Sequence, residues 1–346
     1  MNYKKINIGI LFGGKSAEHE VSLQSAKNII EAIDKKKYNP ILIKIDTTGK
    51  WLLADNNNQV ALIPQSNGQI LNLTTRKNNL VVDVVFPILH GPFGEDGTVQ
   101  GLLKLANIPF VGASVLGSAI GMDKNVMKRL LRDADIPIGE FMVLKSDEKI
   151  PAYKNIRNKL GVPFFIKPAN MGSSVGVYKV KDKNEYLKAI KNALKYDHKI
   201  LIEEYIDGRE IECAILGNSK PTASIAGEIL SPHEFYSYEA KYLDEKGAVL
   251  EIPAKISGKI TKQIQQLAVK TFQTLSCEGL ARVDFFLKKN NDIIVNEINT
   301  LPGFTKISMY PKLWQASGIS YTELINKLIQ LAIEKFNREN KLKTNY

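Results

Sequence analysis

Apolar positions in the first third of the chain come in two rhythms. Ile6–Phe12 is a mostly apolar run closed by Gly13-Gly14, and it predicts a first β-strand and a tight turn. Val21, Ala26, Ile29, Ile30 and Ile33 then recur at helical spacing, which predicts an amphipathic helix over Val21–Ile33. Ile41–Ile45 is a second strand, Val81–Leu89 a buried parallel strand, Gly97–Ala106 a helix and Phe110-Val111 another short strand. The stretch Leu52–Asn79 is polar and rich in Asn and Gln, and reads as loops with a short hairpin. This alternation of strand and helix predicts an open, mostly parallel sheet with helices on its faces.

The pattern changes after Asp123. A helix at Lys124–Asp133, strands at Phe164–Lys167, Val175–Val180 and Lys199–Glu204, and a lysine-rich helix at Asn184–Leu194 describe an α+β lobe. Further on come a helix at Ile260–Leu275, two strands around Asn290-Asn291-Asp292, and a final helix at Tyr321–Phe336. Between the last two lobes lies a long stretch containing Phe235-Tyr236-Ser237-Tyr238-Glu239-Ala240-Lys241-Tyr242, and its aromatics predict a lid that shuts over a site and excludes water. The expected organisation is three lobes, at 1–123, 124–217 and 218–346: an N-terminal α/β lobe, a central α+β lobe, and a C-terminal α+β lobe with an antiparallel sheet and the lid loop.

Composition narrows the function classes. A hydrophobic share of 44% and a charged share of 24% over 346 residues are those of a soluble globular protein. The longest apolar run, Val81–Leu89, is interrupted by Asp83 and Pro87 and is too short to span a bilayer. Lysines precede the apolar N-terminal run, yet that run ends in Gly-Gly and charges with no small-residue cleavage site, so it reads as a strand and not as a signal peptide. Cys213 and Cys277 show no pairing pattern and no neighbouring His, which predicts free thiols in a reducing compartment, the cytoplasm. The net charge of +11 comes from scattered lysines without interleaved aromatics. We read it as a solvated surface that steers anionic substrates, with neither nucleic acid nor membrane as partner.

Candidate chemistry sits at strand ends. Within the hairpin, alternation places Arg282 and Asp284 on one strand face, and the spacing to Glu297 and Asn299 allows all four to converge. Two carboxylates and an amide oxygen suit Mg²⁺ with phosphate oxygens completing its shell, and Arg282 adds a fixed positive charge. Taken alone, the same four residues also describe a salt-bridged strand pair. In Gly13-Gly14-Lys15-Ser16-Ala17-Glu18-His19-Glu20, Glu18 lies where a strand meets a helix, the place where open α/β sheets put ligand contacts; complementing the helix dipole is the competing reading. His90 opens the loop His90-Gly91-Pro92-Phe93-Gly94-Glu95-Asp96-Gly97 after a buried strand. Lys167 ends a strand before Gly172-Ser173-Ser174-Val175-Gly176, a loop able to fold over polyphosphate, although it is no Walker A motif because there the lysine follows the glycines. Glu203, Tyr205, Ile206 and Glu210 surround a linker whose backbone can pair with an adenine edge and whose acid can bond a ribose; an exposed strand end is the plainer alternative.

Together GGKSAEHEVS, HGPFGEDG, IKPANMGSSVGV, EAKY, RVD and NEINTLPG, in this order from about Ile6 to Phe336, resemble the D-alanine–D-alanine ligases of the ATP-grasp superfamily. The resemblance implies an ATP-grasp fold and a reaction in which ATP phosphorylates the carboxylate of a first D-alanine and the amine of a second attacks the acyl phosphate. By the same resemblance Glu18 would hold the first ammonium, His90 would sit beside that substrate's carboxylate, and Ser173 would link Glu18 to Tyr242. Lys124 and Lys167 would contact the α and β phosphates, with Ser173 and Ser174 in the loop above them. Glu203, Tyr205 and Ile206 would flank adenine, Glu210 the ribose, and Lys241 would reach the transferring phosphoryl group. Asp284, Glu297 and Asn299 would hold two Mg²⁺ ions, or Mn²⁺ in their place. Arg282 and the Gly303 N–H would stabilise the tetrahedral transition state, while Ser308 and Met309 would receive the second carboxylate. Tyr242 in the EAKY segment goes in this family with dipeptide synthesis, so D-alanine is preferred over D-lactate or D-serine as second substrate. A cytoplasmic homodimer serving peptidoglycan precursor synthesis is implied as well.

Overall fold

The computed structural model describes residues 4–230 and 249–343. Strand β1 (Ile6–Gly13) lies inside a four-stranded sheet of order β3-β2-β1-β7, with β2 (Tyr38–Ile45) and β7 (Val84–Ile88) parallel to it on either side and the short β3 (Trp51–Leu53) antiparallel at the edge. Parallel strands are covered on both faces, which is why β1 and β7 read as near-continuous apolar runs. Helix α1 (His19–Ala32) packs on one face with the C-terminal helices, and α2 (Thr98–Leu105) packs on the other.

The polar stretch Leu52–Asn79 is more ordered than expected. Beyond β3 it forms β4 (Val60–Leu62) and β5 (Gln69–Asn72) and enters β6 (Lys77–Val81), together a three-stranded antiparallel sheet. These strands give the core only single residues such as Val60 and Ile70, too few to set up a visible alternation. The run Val81–Leu89 is correspondingly two elements. It breaks at Asp83, whose carboxylate accepts the Asn7 N–H at 2.7 Å.

Helices α3 (Val115–Met122) and α4 (Lys124–Asp133) lead into an antiparallel sheet of order β10-β9-β11-β8. Its strands are β8 (Phe141–Lys145), β9 (Phe164–Pro168), β10 (Tyr178–Val180) and β11 (Lys199–Glu204), with α5 (Tyr153–Leu160) and α6 (Lys183–Ala193) closing the core beneath. The expected strand Val175–Val180 is paired only over its last three residues, because the residues before it turn with the glycine-rich loop.

The third sheet, order β14-β13-β12-β15-β16, is antiparallel throughout and contains β12 (Gly208–Gly217), β13 (Thr222–Leu230), β14 (Val249–Glu251), β15 (Gly279–Lys288) and β16 (Ile293–Asn299). Sheet membership therefore changes at Tyr205–Asp207, and β12, which the sequence reading grouped with the central lobe, hydrogen-bonds to β13 and β15. Helix α7 (Gly258–Thr274) covers one face of this sheet. Helices α8 (Met309–Ala316) and α9 (Tyr321–Glu339) cover part of the other and join it to the N-terminal sheet in one core. The part of that second face left uncovered by α8 and α9 turns toward the central sheet. Among the described residues no helix is long and apolar enough to cross a membrane.

Candidate active site

The β15–β16 pair brings the hairpin residues together by way of an irregularity. Asp284 lies opposite Glu297 and Arg282 opposite Asn299, with a register shift between Asp284 and Phe285. On the turn side of the shift Phe285 pairs with Val295, which leaves Asn296 as an extra residue on β16. Without that bulge Asp284 would oppose Asn296, and Glu297 would point to the other face of the sheet. Glu212 on β12 lies opposite Asp284 on the far side, so Glu212, Asp284 and Glu297 form a row across three strands.

Arg282 neutralises this row from within. Its Nε and Nη2 donate to the two Asp284 oxygens at 2.7 Å each, and its Nε is 2.9 Å from Glu212 Oε2. Burial alone would weaken the guanidinium's hold on its proton; Asp284 and Glu212 outweigh it, and Arg282 is held charged well beyond its ordinary range. Asn299 Nδ2 donates to Asp284 Oδ2 at 3.0 Å.

Facing this row is a cleft of about 440 Å³ between the central and C-terminal sheets. Lys124 begins α4, where the Asp123 carboxylate caps the helix by accepting the Asn125 and Val126 N–H groups. Its ammonium donates to the Met171 carbonyl at 2.7 Å and sits 3.6 Å from Glu297 Oε2. Lys167 on β9 and Glu203 on β11 share a sheet face as diagonal neighbours, 2.7 Å apart. Lys128, one helical turn beyond Lys124, approaches the other Glu203 oxygen at 3.4 Å. Burial would raise the Glu203 pKa, but the two ammoniums reverse that and keep it ionised; burial likewise pulls Lys128 down against the attraction of Glu203. Above these groups Ser173 and Ser174 both adopt left-handed φ, +51° and +60°. Two successive non-glycine residues there store strain, as loops shaped for a ligand often do.

The N-terminal lobe closes the arrangement. The Ser173 hydroxyl donates to Glu18 Oε1. His90 is buried at 4% exposure, with Nδ1 3.0 Å from the Leu301 carbonyl and Nε2 3.5 Å from Ser25 Oγ. Burial lowers its pKa despite the Glu18 carboxylate, so the ring is neutral at physiological pH. Glu95 accepts the Gly91 N–H at 2.7 Å and the Leu301 N–H at 3.2 Å, and burial together with Glu18 pushes its pKa up to about 8. Phe304 N–H donates to Ser25 Oγ at 3.3 Å and Thr305 N–H to Ser308 Oγ at 3.0 Å. The Leu301–Ser308 segment, with the Gly303 amide inside it, is thus tied to groups of the N-terminal lobe.

Of the residues singled out from sequence, Lys124, Lys167, Ser173, Ser174, Glu203, Tyr205, Ile206, Glu210, Arg282, Asp284 and Glu297 line one cleft. Asn299 joins through Asp284, Glu18 through Ser173, and His90, Gly303 and Ser308 through the Leu301–Ser308 segment, whereas Met309, at the start of α8, is buried in the core beneath. Lys241 and Tyr242 lie outside the described residues. Sequence reasoning missed Lys128, Glu212 and the part played by Glu95. The first had a signal, being four residues after Lys124 on one helix face; the second declares itself only through cross-strand pairing. Cys213 and Cys277 are free, buried thiols, each pushed up to about 12 mainly by burial.

Comparison with known proteins identifies the family. A family model described as D-ala D-ala ligase N-terminus matches residues 7–113, and one described as D-ala D-ala ligase C-terminus matches residues 130–330. A D-alanine--D-alanine ligase from Oceanobacillus iheyensis is 54% identical, with 98% of each chain covered. The solved D-alanine-D-alanine ligase from Coxiella burnetii superposes with a TM-score of 0.87 at 39% identity, covering 97% of this chain and 98% of that one. The VanG D-Ala:D-Ser ligase from Enterococcus faecalis also reaches 0.87, at 36% identity over 95% of this chain and 100% of that one.

Proposed function

This chain belongs to the D-alanine–D-alanine ligase family, with an ATP-grasp fold, and joins two D-alanine molecules with ATP as phosphoryl donor; we propose that the cleft residues divide that work as follows. The observation that carries the assignment is the Glu212–Asp284–Glu297 row with Arg282 inside it, facing a lysine-lined cleft. Two anions must meet when the first carboxylate attacks the γ-phosphorus, and Lys124 and Lys167 supply the positive charge that lets ATP lie there. Glu18, oriented by Ser173, receives the first substrate's ammonium. The attacking carboxylate oxygen displaces ADP and leaves an acyl phosphate.

The second amine, once deprotonated, then attacks the acyl carbon, and phosphate departs with the electron pair of the broken C–O bond. Arg282 and the Gly303 N–H stabilise the oxyanion of that tetrahedral state, while Ser308 and Met309 receive the second carboxylate. Neutral, buried His90 sits beside the first carboxylate without competing for its charge. Lys241 and Tyr242 complete the site on sequence grounds.

Asp284, Glu297 and Asn299 offer two carboxylates and an amide on one sheet face, a hard-oxygen donor set that fits Mg²⁺ or Mn²⁺. When bound, such a cation neutralises phosphate charge and acts as a Lewis acid. We propose a cytoplasmic location, which the free thiols and a role in making peptidoglycan precursors support, and a homodimer as the assembly, which sedimentation tests.

The deciding experiment is ADP release with ATP, Mg²⁺ and D-alanine, L-alanine, or D-alanine mixed with D-serine or D-lactate, with products weighed by mass spectrometry. D-alanine-dependent turnover yielding D-alanyl-D-alanine is expected. A D-alanyl-D-serine or depsipeptide product from the mixtures would overturn the second-substrate reading.

A further inference from the structure

Serine starts α3, α7 and α9 in the same way: the hydroxyls of Ser114, Ser257 and Ser320 each accept an N–H three residues on, from Gly117, Ile260 and Glu323. Ser308 stands at the same position of α8, and its hydroxyl makes no such bond. The sequence says why: three residues on is Pro311, which has no N–H to give. The hydroxyl turns instead to Thr305. The Ser308 N–H donates to the Thr305 carbonyl at 3.0 Å and closes a turn over the exposed Lys306 and Ile307. Within that turn the Thr305 N–H donates to Ser308 Oγ at 3.0 Å, and the two side-chain oxygens are 2.8 Å apart. A Cβ added at Gly303 would lie 2.9 Å from Ser308 Oγ, so the hydroxyl rests against the backbone of the residue whose N–H is assigned to the oxyanion.

We infer that Thr305 is a positioning residue for the second substrate: its hydroxyl donates to Ser308 Oγ and so keeps the Ser308 hydrogen free to donate to the incoming carboxylate. The inference rests on Ser308 receiving that carboxylate. A hydroxyl has one hydrogen and two lone pairs. The Thr305 N–H takes one of the Ser308 lone pairs. If Ser308 spent its hydrogen on Thr305 Oγ1, it would meet a carboxylate with a lone pair, acceptor against acceptor. With Thr305 as the donor, both lone pairs are filled and the hydrogen is left for the ligand. The chain from Thr305 through Ser308 to the carboxylate then polarises in one direction, which strengthens its last, charge-assisted bond.

The test measures dipeptide formation at saturating ATP over a wide range of D-alanine, which yields a constant for each of the two D-alanine sites. Ser308→Ala should raise one of them about tenfold, the worth of a hydrogen bond to a charged group. Thr305→Val, which keeps the branched side chain and removes the hydroxyl, should raise the same constant about three- to tenfold and leave the other constant and KM for ATP unchanged. Thr305→Ser, which keeps a hydroxyl, should stay close to wild type. Placed on top of Ser308→Ala, Thr305→Val should cost little more, because it acts only through that hydroxyl. Unchanged D-alanine constants in Ser308→Ala would overturn the placing of the carboxylate, and the inference with it. A raised constant in Ser308→Ala with none in Thr305→Val would overturn the role of Thr305 and leave Ser308 in place. Fully additive losses, a Thr305→Ser variant as impaired as Thr305→Val, or a general rise that includes KM for ATP would each mark Thr305 as a packing residue and overturn the inference. Should Thr305→Val fail to fold, Thr305→Ala is read by the same criteria.

Discussion

Replacing Arg282 with Ala separates two tasks that one guanidinium performs. In the folded protein Arg282 lies within 2.9 Å of both Glu212 and Asp284, which oppose each other on adjacent strands. Without it, two carboxylates face each other across a cross-strand pair. At about 5 Å and an effective dielectric near 20 their repulsion is about 3 kcal/mol, in line with the roughly 3–5 kcal/mol typical when one partner of a buried ion pair is removed. Loss of a donor aimed at developing negative charge should separately lower kcat by about 10²–10³-fold. Thermal unfolding reads the first effect, and steady-state kinetics with an independent nucleotide-binding measurement read the second. The double variant Arg282→Ala/Glu212→Ala removes the repelling partner, so it should regain much of the stability but none of the rate. If kcat returned together with stability, Arg282 would be a strut holding the row in place; if only KM rose, it would be a binding group with no special affinity for the transition state.

Other outcomes follow from the same geometry. Glu297→Gln keeps the shape of the row and leaves Asp284 as the one carboxylate of the proposed cation donor set, so turnover should drop by orders of magnitude and Mg²⁺ titration should shift to higher concentration; near-normal kcat at ordinary Mg²⁺ would contradict the donor set. Ser173→Ala removes one hydrogen bond that orients Glu18, and KM for the first D-alanine should rise about tenfold, the worth of one hydrogen bond to a charged group, as read by varying D-alanine at saturating ATP. Lys335 on α9 donates to the Gly112 carbonyl at 2.7 Å, and burial pushes its pKa from 10.5 down to about 8. Between those values the unfolded chain carries a proton that the folded chain has shed, so stability rises with pH across that window by about 3 kcal/mol. Denaturant melts from pH 8 to 10 should show this rise in wild type relative to Lys335→Met, and parallel curves would refute it.

Much of this architecture was legible because long elements advertise themselves. Helix α4 and strand β11 have the boundaries that periodicity and charge placement predict, and β1, α1 and the β15–β16 hairpin differ only at their ends. What was hidden has physical reasons. Helix α3, Val115–Met122, contains two interior glycines that weaken its helical signal, and the sequence reading assigned it no element. Those glycines are required by packing: a Cβ at Gly117 would lie 2.6 Å from the Ser276 carbonyl oxygen, and one at Gly121 2.7 Å from the Thr300 methyl. Strands β4 to β6 are too short for alternation to register, and β12 belongs to its sheet only through partners distant in sequence. In the site, the residues proposed to meet a ligand came with glycine-rich or strand-end motifs. Those that support them, Lys128 under Glu203, Glu212 behind Arg282 and Glu95 beneath Leu301, carry no local signature, because each is defined by what it touches across the fold.

The extra residue at Asn296 makes the site a matter of parity. From the turn to Phe285 the two strands count in step; beyond it β16 runs one ahead, and Glu297 faces Asp284 only because the surplus residue is taken up there. Were β16 to pair regularly at its full length, the inward and outward sets would exchange, pressing Ile298 toward the cleft and turning Glu297 into an apolar core. Deleting Asn296 alone would close the bulge and leave Glu297 opposite Asp284, so the facing of the carboxylates depends on where the surplus residue is absorbed and not on the length of the hairpin.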